Sequence, residues 1–436
     1  MSKRRTVIAG TGVGMGAILA APGAAQADDF KVTNLNDAGA GSLRAAVEQA
    51  NADDGADRIL FKSKLSGTIS LTSGELLLDG GDIDVLGPGA RKVTVDAPGD
   101  DRAFEFRGDY GGAPPSDATL SSLTITGGGG NTNGGGVIAY GGDIDMTISR
   151  ATITGNGDSA TARGGGVYIG GSSDNRLVID SSAISGNSSN DYGGGVYVRN
   201  ASFSIRNTTI SGNSAQYGGG MAHRYTDQEE IELVSSTVTG NEAGGSGGGL
   251  YENTGGVRIR SSIVAGNTAI GEPSFSDMDD GPWPTAFSLI GDVGGADIDD
   301  GGGNLLGVDP NLKPLKNNGG PTNTHAFKKS PAKNKGPSDA PKSDQRGAPR
   351  KGQPDIGAYE LTKCEGVIVN RVGTAKKDKL KGTKRKDGIL GLGGNDKLAG
   401  KKGRDGLCGG KGKDKLKGGP GKDKLDGGPG KDKEIQ

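Results

Sequence analysis

The sequence predicts an all-β protein in which a parallel β-helix is followed by a smaller module of short repeats. Three observations support this fold class. Glycine accounts for 85 of the 436 residues and aromatic residues for only 4%, a composition that indicates many tight turns. Short apolar segments recur every 25 to 30 residues through the middle of the chain. Residues 373–436 repeat with a period of nine, and repeats of both kinds build elongated proteins by stacking.

Opposite charges in two parts of the chain indicate two modules with different roles. From Gly366 onward there are 20 Lys and Arg and 9 Asp and Glu residues, a net charge of +11. The rest of the chain has 31 basic and 43 acidic residues, a net charge of −12. The overall value of −1 therefore hides a strongly basic tail on an acidic body.

Residues 1–27 have the features of a signal peptide. Basic residues at positions 3–5 precede the apolar stretch Thr6–Ala21, and Ala-Gln-Ala at 25–27 fits the usual cleavage pattern. The paired arginines are similar to a twin-arginine export signal, with Sec export as the open alternative. An uncleaved anchor is disfavoured because the stretch is short and rich in glycine. We therefore expect a secreted or cell-surface protein with no transmembrane segment after cleavage.

The middle of the chain alternates two phrases that predict the coils of a solenoid. A triple glycine followed by an apolar strand, as in GGGVYVR at 193, alternates with phrases such as SAISGNS. Strands of successive coils can pair in parallel and bury one another's apolar face. A β-propeller is the rival architecture, but its blades are normally longer. Val167, Val196, Met221 and Leu250 are predicted to stack inside the solenoid, and Asn156, Asn187, Asn213, Asn241 and Asn267 to stack at one turn.

The triple glycines are predicted to supply left-handed or cramped turn conformations, which a Cβ atom resists, and positive φ is the reason given for the position that follows. Gly194, in the middle of one triple, is the example: valine at this position should disrupt a coil. Residues 28–61 are predicted to cap the first coil, with Ser42 as the N-cap of a short helix. The apolar stripe of that helix is Leu43, Ala46, Val47 and Ala50.

Two segments resemble a known family of exported proteins. GSLRAAVEQAN in the predicted cap resembles the CSLREA-type motif, and residues 317–360, from NNGGPTNTHAF to DIGAYE, closely resemble the end of the choice-of-anchor Q type domain. The resemblance implies a right-handed, pectin-lyase-like β-helix over residues 28–362. It implies little about chemistry, because such folds occur in enzymes and in inert stalks.

The basic tail consists of seven nonapeptides over residues 373–436, after a junction at 363–372. Position six is always aspartate, and position eight is Leu or Ile in six of the seven repeats. The pattern resembles RTX-type repeats, which implies a parallel β-roll that binds calcium between its turns. Calcium takes six or more oxygen ligands, which carboxylates and turn carbonyls can supply. The predicted ligands are Asp378, Asp387, Asp396, Asp405, Asp414, Asp423 and Asp432, with calcium mainly around Asp396, Asp405, Asp414 and Asp423.

Lysine and arginine fill most of positions five and seven of the repeats and are expected to point outward. Their charge opposes a divalent cation, so reduced calcium affinity is expected. The lysines either bind polyanions such as wall polymers or acidic polysaccharides, or serve solubility alone. Cys364 and Cys408 are the two cysteines of the sequence, and a disulfide between them is favoured in an exported protein over two buried thiols.

The sequence contains no catalytic motif that we can identify, so catalytic residues are left unassigned. A lyase needs an arginine base beside acidic residues; Arg199 and Arg224 share a repeat position, with Asp180, Asp191 and Glu252 near in sequence. His223 is interpreted as a residue at a solenoid corner, and His325 as a residue that makes a capping hydrogen bond. Asp277–Asp280 is interpreted as part of a loop. A second kind of site, an outward aromatic stripe suited to sugar rings, is predicted at Tyr168, Tyr197 and Tyr251.

These features leave two classes of function open. The first is a non-catalytic surface or matrix protein, expected to be a monomer, which binds a polysaccharide or anionic envelope polymer. The second is a polysaccharide lyase of the pectate-lyase type on the same solenoid. Calcium is the expected cofactor in both, and no nucleic-acid partner is expected.

Overall fold

The computed structural model describes residues 27–53, 55–108, 116–130, 133–158, 160–224, 231–253 and 256–436. The predicted signal peptide lies outside these ranges except for its last residue. Strands dominate the described residues, which also contain an α-helix at Leu43–Asn51 and a 3₁₀ turn at Pro273–Phe275.

Long parallel sheets run along the first module, and most coils contribute a strand to each of them. Sheet 1 consists of Asp29–Val32, Asp57–Phe61, Ile83–Leu86, Ser116–Ser121, Ile144–Ser149, Arg176–Asp180, Ser202–Arg206, Ile231–Val234, Arg258–Arg260, Pro282–Ala286 and Asp297–Asp300. Sheet 2 consists of Gly67–Ser70, Val93–Asp96, Thr124–Thr126, Thr152–Thr154, Ala183–Ser185, Thr209–Ser211, Thr237–Thr239, Ile263–Val264, Leu289–Ile290 and Leu305–Leu306. Sheet 3 consists of Leu76–Leu78, Phe104–Arg107, Val137–Tyr140, Val167–Gly170, Val196–Arg199, Met221–Arg224 and Leu250–Glu252. Ser214–Ala215, Glu242–Ala243 and Thr268–Ala269 pair in a short additional sheet. The predicted parallel β-helix is confirmed.

The apolar interior follows the repeat phase that the sequence predicts. Val167 pairs with Val196, Val196 with Met221, and Met221 with Leu250 in the parallel register of sheet 3. Each of these side chains is at most 2% exposed. Inward residues of sheets 1 and 2 complete one continuous core, so each coil buries the apolar face of the next.

The asparagine series forms the predicted ladder at one turn of the solenoid. Each buried side-chain Nδ2 donates to the Oδ1 of the next asparagine at 2.8–3.0 Å, from Asn156 to Asn267. Each Oδ1 also accepts a backbone N–H of the preceding coil. Asp277 ends the series, because its Oδ1 accepts both from Asn267 Nδ2 at 2.8 Å and from the Asn267 N–H at 2.9 Å.

Asn213→Ala is expected to destabilise the solenoid by about 2–5 kcal/mol, because several buried polar groups lose their partner at once. Asn213 accepts from the backbone and side chain of Asn187 and donates to Asn241. Urea unfolding of the chain measures the effect. Asn190→Ala, at an exposed position of the same turn region, is the control and should change stability little; equal losses in both variants would contradict the role of the ladder.

A second polar ladder lies at the corner between sheets 1 and 2, which the sequence interpretation missed. The chain turns there through one residue with positive φ, for example Ser181 at 52° and Ser235 at 47°. The next residue presents a hydroxyl to the backbone N–H of the preceding coil at 3.0–3.4 Å. The hydroxyls that accept these bonds belong to Ser182, Thr208, Ser236, Ser262 and Ser288, and each hydroxyl in turn donates to a carbonyl oxygen of its own corner.

The reason given above for Gly194 is wrong, although the need for glycine is real. Positive φ belongs to the first glycine of the triple, Gly193 at 65°, and not to the second. A Cβ atom at Gly194 would lie 2.2 Å from the carbonyl oxygen of Ser214. The middle glycine is therefore required by the close approach of the next coil's backbone.

The N-terminal helix is confirmed as the cap of the first coil. The Ser42 hydroxyl accepts the N–H of Ala45 at 3.1 Å, as expected of an N-cap. The predicted stripe faces the interior, and its members are 0–3% exposed: Leu43, Ala46, Val47 and Ala50. This helix covers strand edges and core that an open end would expose.

Residues 317–360, called the terminal segment below, run back along the outer face of sheet 2. His325 makes the predicted capping contacts: Nδ1 lies 2.7 Å from the Lys313 carbonyl oxygen, and Nε2 lies 2.9 Å from the Ser211 hydroxyl. Other hydrogen bonds join the segment to successive coils of the solenoid. From late coils to early ones, the bonded pairs are Gly357 and Ser261, Ala358 and Thr237, Gln345 and Thr209, Thr322 and Ser181, and Asn323 and Arg91. The segment thus fastens late coils to early ones.

Arg346 connects the terminal segment to the tail. This side chain is 2% exposed, pairs with Asp344 at 2.8 Å and lies over the Tyr359 ring at 4.0 Å. Its guanidinium donates to the carbonyl oxygens of Asn318 and Val369 at 3.0 and 3.1 Å. Because Val369 belongs to the junction strand Val367–Val372, which pairs with the strand Gly388–Leu390 of the roll, this buried arginine fixes where the roll begins.

The tail is a β-roll in which successive repeats add a strand alternately to two sheets, so one coil takes 18 residues. Sheet 4 consists of Lys363–Cys364, Val367–Val372, Gly388–Leu390, Gly406–Cys408 and Lys424–Asp426, and sheet 5 of Lys379–Lys381, Lys397–Ala399, Lys415–Lys417 and Lys433–Ile435. The pairing is parallel except between the first two strands of sheet 4. Position eight fills the thin core as predicted, with Ile389, Leu398, Leu407 and Leu416 at most 1% exposed.

Candidate metal-binding site

The position-six aspartates lie where each turn of the roll enters a strand, and most of them are buried. Asp396, Asp405 and Asp414 are at most 2% exposed, and Asp423 is 8% exposed. The alternation of the two sheets divides the aspartates between two edges of the roll. Asp378, Asp396, Asp414 and Asp432 follow one edge, and Asp387, Asp405 and Asp423 follow the other.

From Asp396 onward, Oδ1 of each stacked aspartate accepts the backbone N–H of the aspartate one coil earlier and so holds the turns in register. Oδ1 of Asp414 accepts the backbone N–H of Asp396 at 2.7 Å, and Oδ1 of Asp432 accepts that of Asp414 at 2.8 Å. The same bond joins Asp405 with Asp423 at 2.8 Å on the other edge. Each aspartate therefore has one oxygen committed to the backbone.

The second carboxylate oxygen separates the repeats into two classes. Oδ2 of Asp396, Asp405, Asp414 and Asp423 is buried and accepts no hydrogen bond. In the first repeat, Oδ2 of Asp378 accepts the N–H of Thr374 at 2.6 Å and its hydroxyl at 2.9 Å. Thr383 and Asp387 repeat this arrangement at 2.6 and 2.8 Å in the second repeat.

The turns of the two classes also differ in backbone conformation. From the third repeat onward, position two has positive φ, even where it is not glycine: Leu392 at 77° and Lys401 at 80°. Left-handed backbone is costly for such residues. A Cβ atom at Gly412, in position four, would lie 1.7 Å from the Gly394 carbonyl oxygen. Carbonyl oxygens at position one lie near the unpartnered carboxylates, since a Cβ atom at Gly409 would lie 2.5 Å from Asp414 Oδ2 and 2.6 Å from the Gly427 carbonyl oxygen.

This donor set fits calcium. Buried carboxylate oxygens without a partner cost free energy, and burial, together with the charge of stacked aspartates, raises the pKa of Asp396 and Asp405 above the ordinary 3.8. Throughout the described ranges, no three His, Cys, Asp or Glu side chains form a metal cluster. Ligation would therefore combine aspartate oxygens with turn carbonyls, which are the hard ligands that calcium prefers.

A comparison with protein families agrees with this geometry. A family model for the RTX calcium-binding nonapeptide repeat, in four copies, matches residues 372–407 and 409–433. The tail is therefore a set of calcium-binding repeats of a kind typical of secreted proteins, and calcium is its cofactor. No curated protein matches the chain. Among the helices that the structure describes, none is long and apolar enough to cross a membrane.

The predicted disulfide between Cys364 and Cys408 is confirmed, with Cα atoms 5.9 Å apart. It joins the first strand of sheet 4 to the fourth repeat. Ala348, Val369, Val372 and the half-buried Leu390 pack around it. The bond therefore holds the junction strand Lys363–Cys364 against the strand of the fourth repeat within sheet 4.

The tyrosine stripe is not the exposed face that the sequence predicted. Tyr168 and Tyr197 do share a register position and point away from the solenoid core, but they are 6% and 1% exposed. Tyr192 and Tyr217 pack over the stripe, and Tyr192 lies 5.8 Å from Tyr197 and 5.6 Å from Tyr251 between ring centroids. Tyr251 remains half-buried. The signal that was missed is the tyrosine directly before a triple glycine, at positions 192 and 217.

The interpretation of His223 as a corner residue is wrong. His223 pairs with Val198 in sheet 3, is 1% exposed, and contacts the Phe203 ring edge-on at 5.4 Å. Neither ring nitrogen has a hydrogen-bond partner within the described part of the chain. Burial lowers the pKa of His223 to about 4, so the imidazole is neutral at physiological pH.

The residues considered for a lyase do not converge. Arg199 and Arg224 are register neighbours in sheet 3, but Asp180 belongs to sheet 1. Asp191 pairs with an arginine of the preceding coil at 3.0 Å. Two backbone N–H groups of the following loop donate to the Glu252 carboxylate at 3.0 and 3.1 Å. Asp277 and Asp279 of the 277–280 loop are buried, and burial raises the pKa of Asp277 to about 6 and that of Asp279 to about 7.

An acidic pair that the sequence interpretation missed lies on the outer side of sheet 3. Arg102 pairs with Glu75 at 3.2 Å and also with Glu105. Glu105 in addition pairs with Arg107 and accepts a hydrogen bond from the Tyr140 hydroxyl at 3.0 Å. Burial and the Glu105 charge raise the pKa of Glu75 to about 7 against the effect of Arg102. Burial by itself would raise the pKa of Glu105, but hydrogen bonds from Arg107 and Tyr140 and the charge of Arg102 hold that pKa below the ordinary value.

Proposed function

We propose that the protein is an exported, calcium-folded binding protein whose partner is an acidic polysaccharide or another anionic envelope polymer. The observation that carries the calcium part is the set of four buried carboxylate oxygens without partners, beside turn carbonyls. The net charge of +11 on the tail supports an anionic partner. The RTX match supports calcium binding and export.

Calcium would be held by the turns of the third and later repeats. On one edge these are the turns of Asp396, Asp414 and Asp432, and on the other those of Asp405 and Asp423. Bound calcium supplies the positive charge that offsets the stacked carboxylates. The first two turns need no metal, because Thr374 and Thr383 already satisfy the carboxylate oxygens that calcium would bind.

Metal binding and folding are then one process in the distal roll. Its core is one apolar side chain per repeat, whereas ordering each residue costs roughly 1–2 kcal/mol. Binding free energy becomes folding free energy when the site exists only in the folded state. The first turns remain joined to the solenoid through the disulfide and Arg346, so calcium orders a chain that is already anchored at one end.

Trypsin digestion of the full exported chain tests this proposal, because the roll is rich in lysine. In a chelator, cleavage within 391–436 is expected to be roughly tenfold or more faster than in about 10 mM calcium, since an unfolded segment is open to the protease. Cleavage in the solenoid, measured in the same digest by mass spectrometry, is the internal control. Equal protection by magnesium, or none by calcium, would refute calcium-dependent folding.

A polysaccharide lyase is the second candidate, and the cluster of Glu75, Glu105, Arg102 and Arg107 is the observation that favours it. An arginine and two carboxylates with separated pKa values can share proton transfer. Against this, Glu105 is 2% exposed and both arginines are paired with carboxylates. Incubation with acidic polysaccharides and ultraviolet detection of unsaturated sugars decides the question; product formation that Glu105→Gln abolishes would establish the lyase.

A further inference from the structure

The outer face of sheet 5 carries an unbroken column of lysines. Position seven is lysine in the odd-numbered repeats, and the parallel register places Lys379 beside Lys397, Lys397 beside Lys415, and Lys415 beside Lys433. All four side chains are exposed. Lys381 and Lys417 extend the same face at position nine. Lys379, Lys397, Lys415 and Lys433 are called the lysine column below.

The outer face of sheet 4 differs from that of sheet 5, because the junction strands cover part of it. Its position-seven residues in the second and fourth repeats are Gly388 and Gly406, where a Cβ atom would lie 2.4 Å from the Ile368 and 2.3 Å from the Cys364 carbonyl oxygen. Glycine is required there because the junction strands lie directly against the sheet. The sequence therefore places glycine at position seven where the junction covers sheet 4, and lysine at the exposed position seven of its last strand, Lys424, and of every strand of sheet 5.

The lysine column is unfavourable for the isolated protein. Like charges directly opposite one another on adjacent strands destabilise a sheet. The column nevertheless forms no ion pair: in the described ranges the ion pairs are made by arginine, and lysine takes part in none. A face that repeats an unneutralised charge on every strand is suited to a partner with regularly spaced negative charge.

Building on the proposed function, we infer that the lysine column is the polymer-binding face and that it takes a linear acidic polysaccharide lying along the roll axis. Neighbouring lysines repeat at the strand spacing of about 4.8 Å, so the four span about 14 Å. The sequence of residues 373–436 contains no aromatic residue, whereas single-stranded nucleic acids are held by stacking on aromatic rings. A narrow row of point charges fits an extended chain with a charge on each sugar.

Calcium controls this face because the calcium edge and the lysine column share a backbone. Asp396, Asp414 and Asp432 directly precede Lys397, Lys415 and Lys433. The N–H of Lys415 donates to the Asp396 carbonyl oxygen at 2.9 Å. Calcium that stacks the turns therefore also aligns the lysines. By linkage, bound polysaccharide must strengthen calcium binding by the same factor.

The test is binding of fluorescent chondroitin sulfate, which carries on average one negative charge per sugar, to the full exported chain at saturating calcium. K379Q/K397Q/K415Q/K433Q removes the column. K384Q/K402Q/K411Q/K422Q removes four exposed lysines of the turns and changes the net charge equally. We expect roughly tenfold or greater loss of affinity in the first variant and less than about threefold in the second, because the first removes the whole row of charges along the polymer and leaves only Lys381 and Lys417 on that face. Chelation of calcium should weaken the wild-type protein at least as much as loss of the column does.

Trypsin protection of each variant in calcium verifies that its roll is folded. Equal losses in the two variants would overturn the inference in favour of diffuse attraction, and unchanged binding after chelation would overturn calcium control. A thymidine oligonucleotide of equal charge that binds as tightly through the same four lysines would overturn the polysaccharide assignment. If a protected roll binds no chondroitin sulfate, the column assignment fails while calcium-dependent folding stands; if calcium protects nothing, the proposed function itself fails.

Discussion

Asp414→Asn is expected to lower the calcium affinity of the roll roughly tenfold or more, a loss of at least about 1.4 kcal/mol. The substitution is nearly isosteric. The asparagine oxygen can still accept the Asp396 N–H, so the turn keeps its register. What is lost is the buried Oδ2 without a partner, together with the negative charge that calcium requires. Calcium titration of trypsin protection, or of calorimetric heat, measures the change.

Asp378→Asn is the matched control for this prediction. Its Oδ2 accepts two hydrogen bonds from Thr374, so it is not available to a metal. The variant should weaken the first turn in the absence of calcium, yet leave the calcium midpoint within about twofold, since no ligand is removed. Similar shifts in both variants would show that calcium does not distinguish the two classes of turn.

The parts of the fold that follow from local chemistry were predictable from the sequence. The asparagine ladder, the helix stripe at Leu43–Ala50 and the core of the roll each depend on a residue type recurring at the phase of its own repeat. Stacking converts such a phase directly into contact with the next coil. The disulfide followed from cysteine count and export.

Features that depend on a distant segment were not predictable in this way. Tyr197 is buried because Tyr192, from the turn before the strand, packs over it. Alternation along a strand predicts which side chains point outward, but it does not predict whether another residue covers them. His223 occupies the inward phase of Val198, whereas the sequence interpretation took that aligned position for a solenoid corner. The register was the better guide, because pairing with an inward residue fixes the direction of the side chain.

The two classes of turn could have been recognised from threonine. Thr374 and Thr383 each precede an aspartate by four residues, and a hydroxyl at that distance can close a turn locally. The sequence interpretation placed calcium mainly around Asp396, Asp405, Asp414 and Asp423 and attributed reduced affinity to the charge of the lysines. The structure gives a different reason, since the threonine hydroxyl and N–H occupy the carboxylate oxygen.

This reason leads to a gain-of-function prediction: T383G/R385G should add one calcium ion per chain. The two changes make residues 382–387 read GGKGKD, the same as residues 409–414. Glycine at 383 can adopt the positive φ seen at Gly410, 99°, at no steric cost. Oδ2 of Asp387 would then lose its two hydrogen bonds and become a ligand on the edge that it shares with Asp405. Native mass spectrometry or equilibrium dialysis of the full chain counts the bound calcium.

T383S/R385Q is the control, because it removes the same positive charge but keeps a hydroxyl for Asp387. It should bind the same number of calcium ions as the parent chain. The double-glycine variant should also become more sensitive to trypsin in a chelator at residues 382–390, since a turn closed by threonine has been replaced by one that needs metal. A gain in the control as well would assign the effect to the charge of Arg385, and no gain in either would mean that threonine closure does not set the boundary of the calcium-binding turns. A gain confined to T383G/R385G cannot arise from misfolding, and it would place that boundary at the hydroxyl groups of the first two repeats.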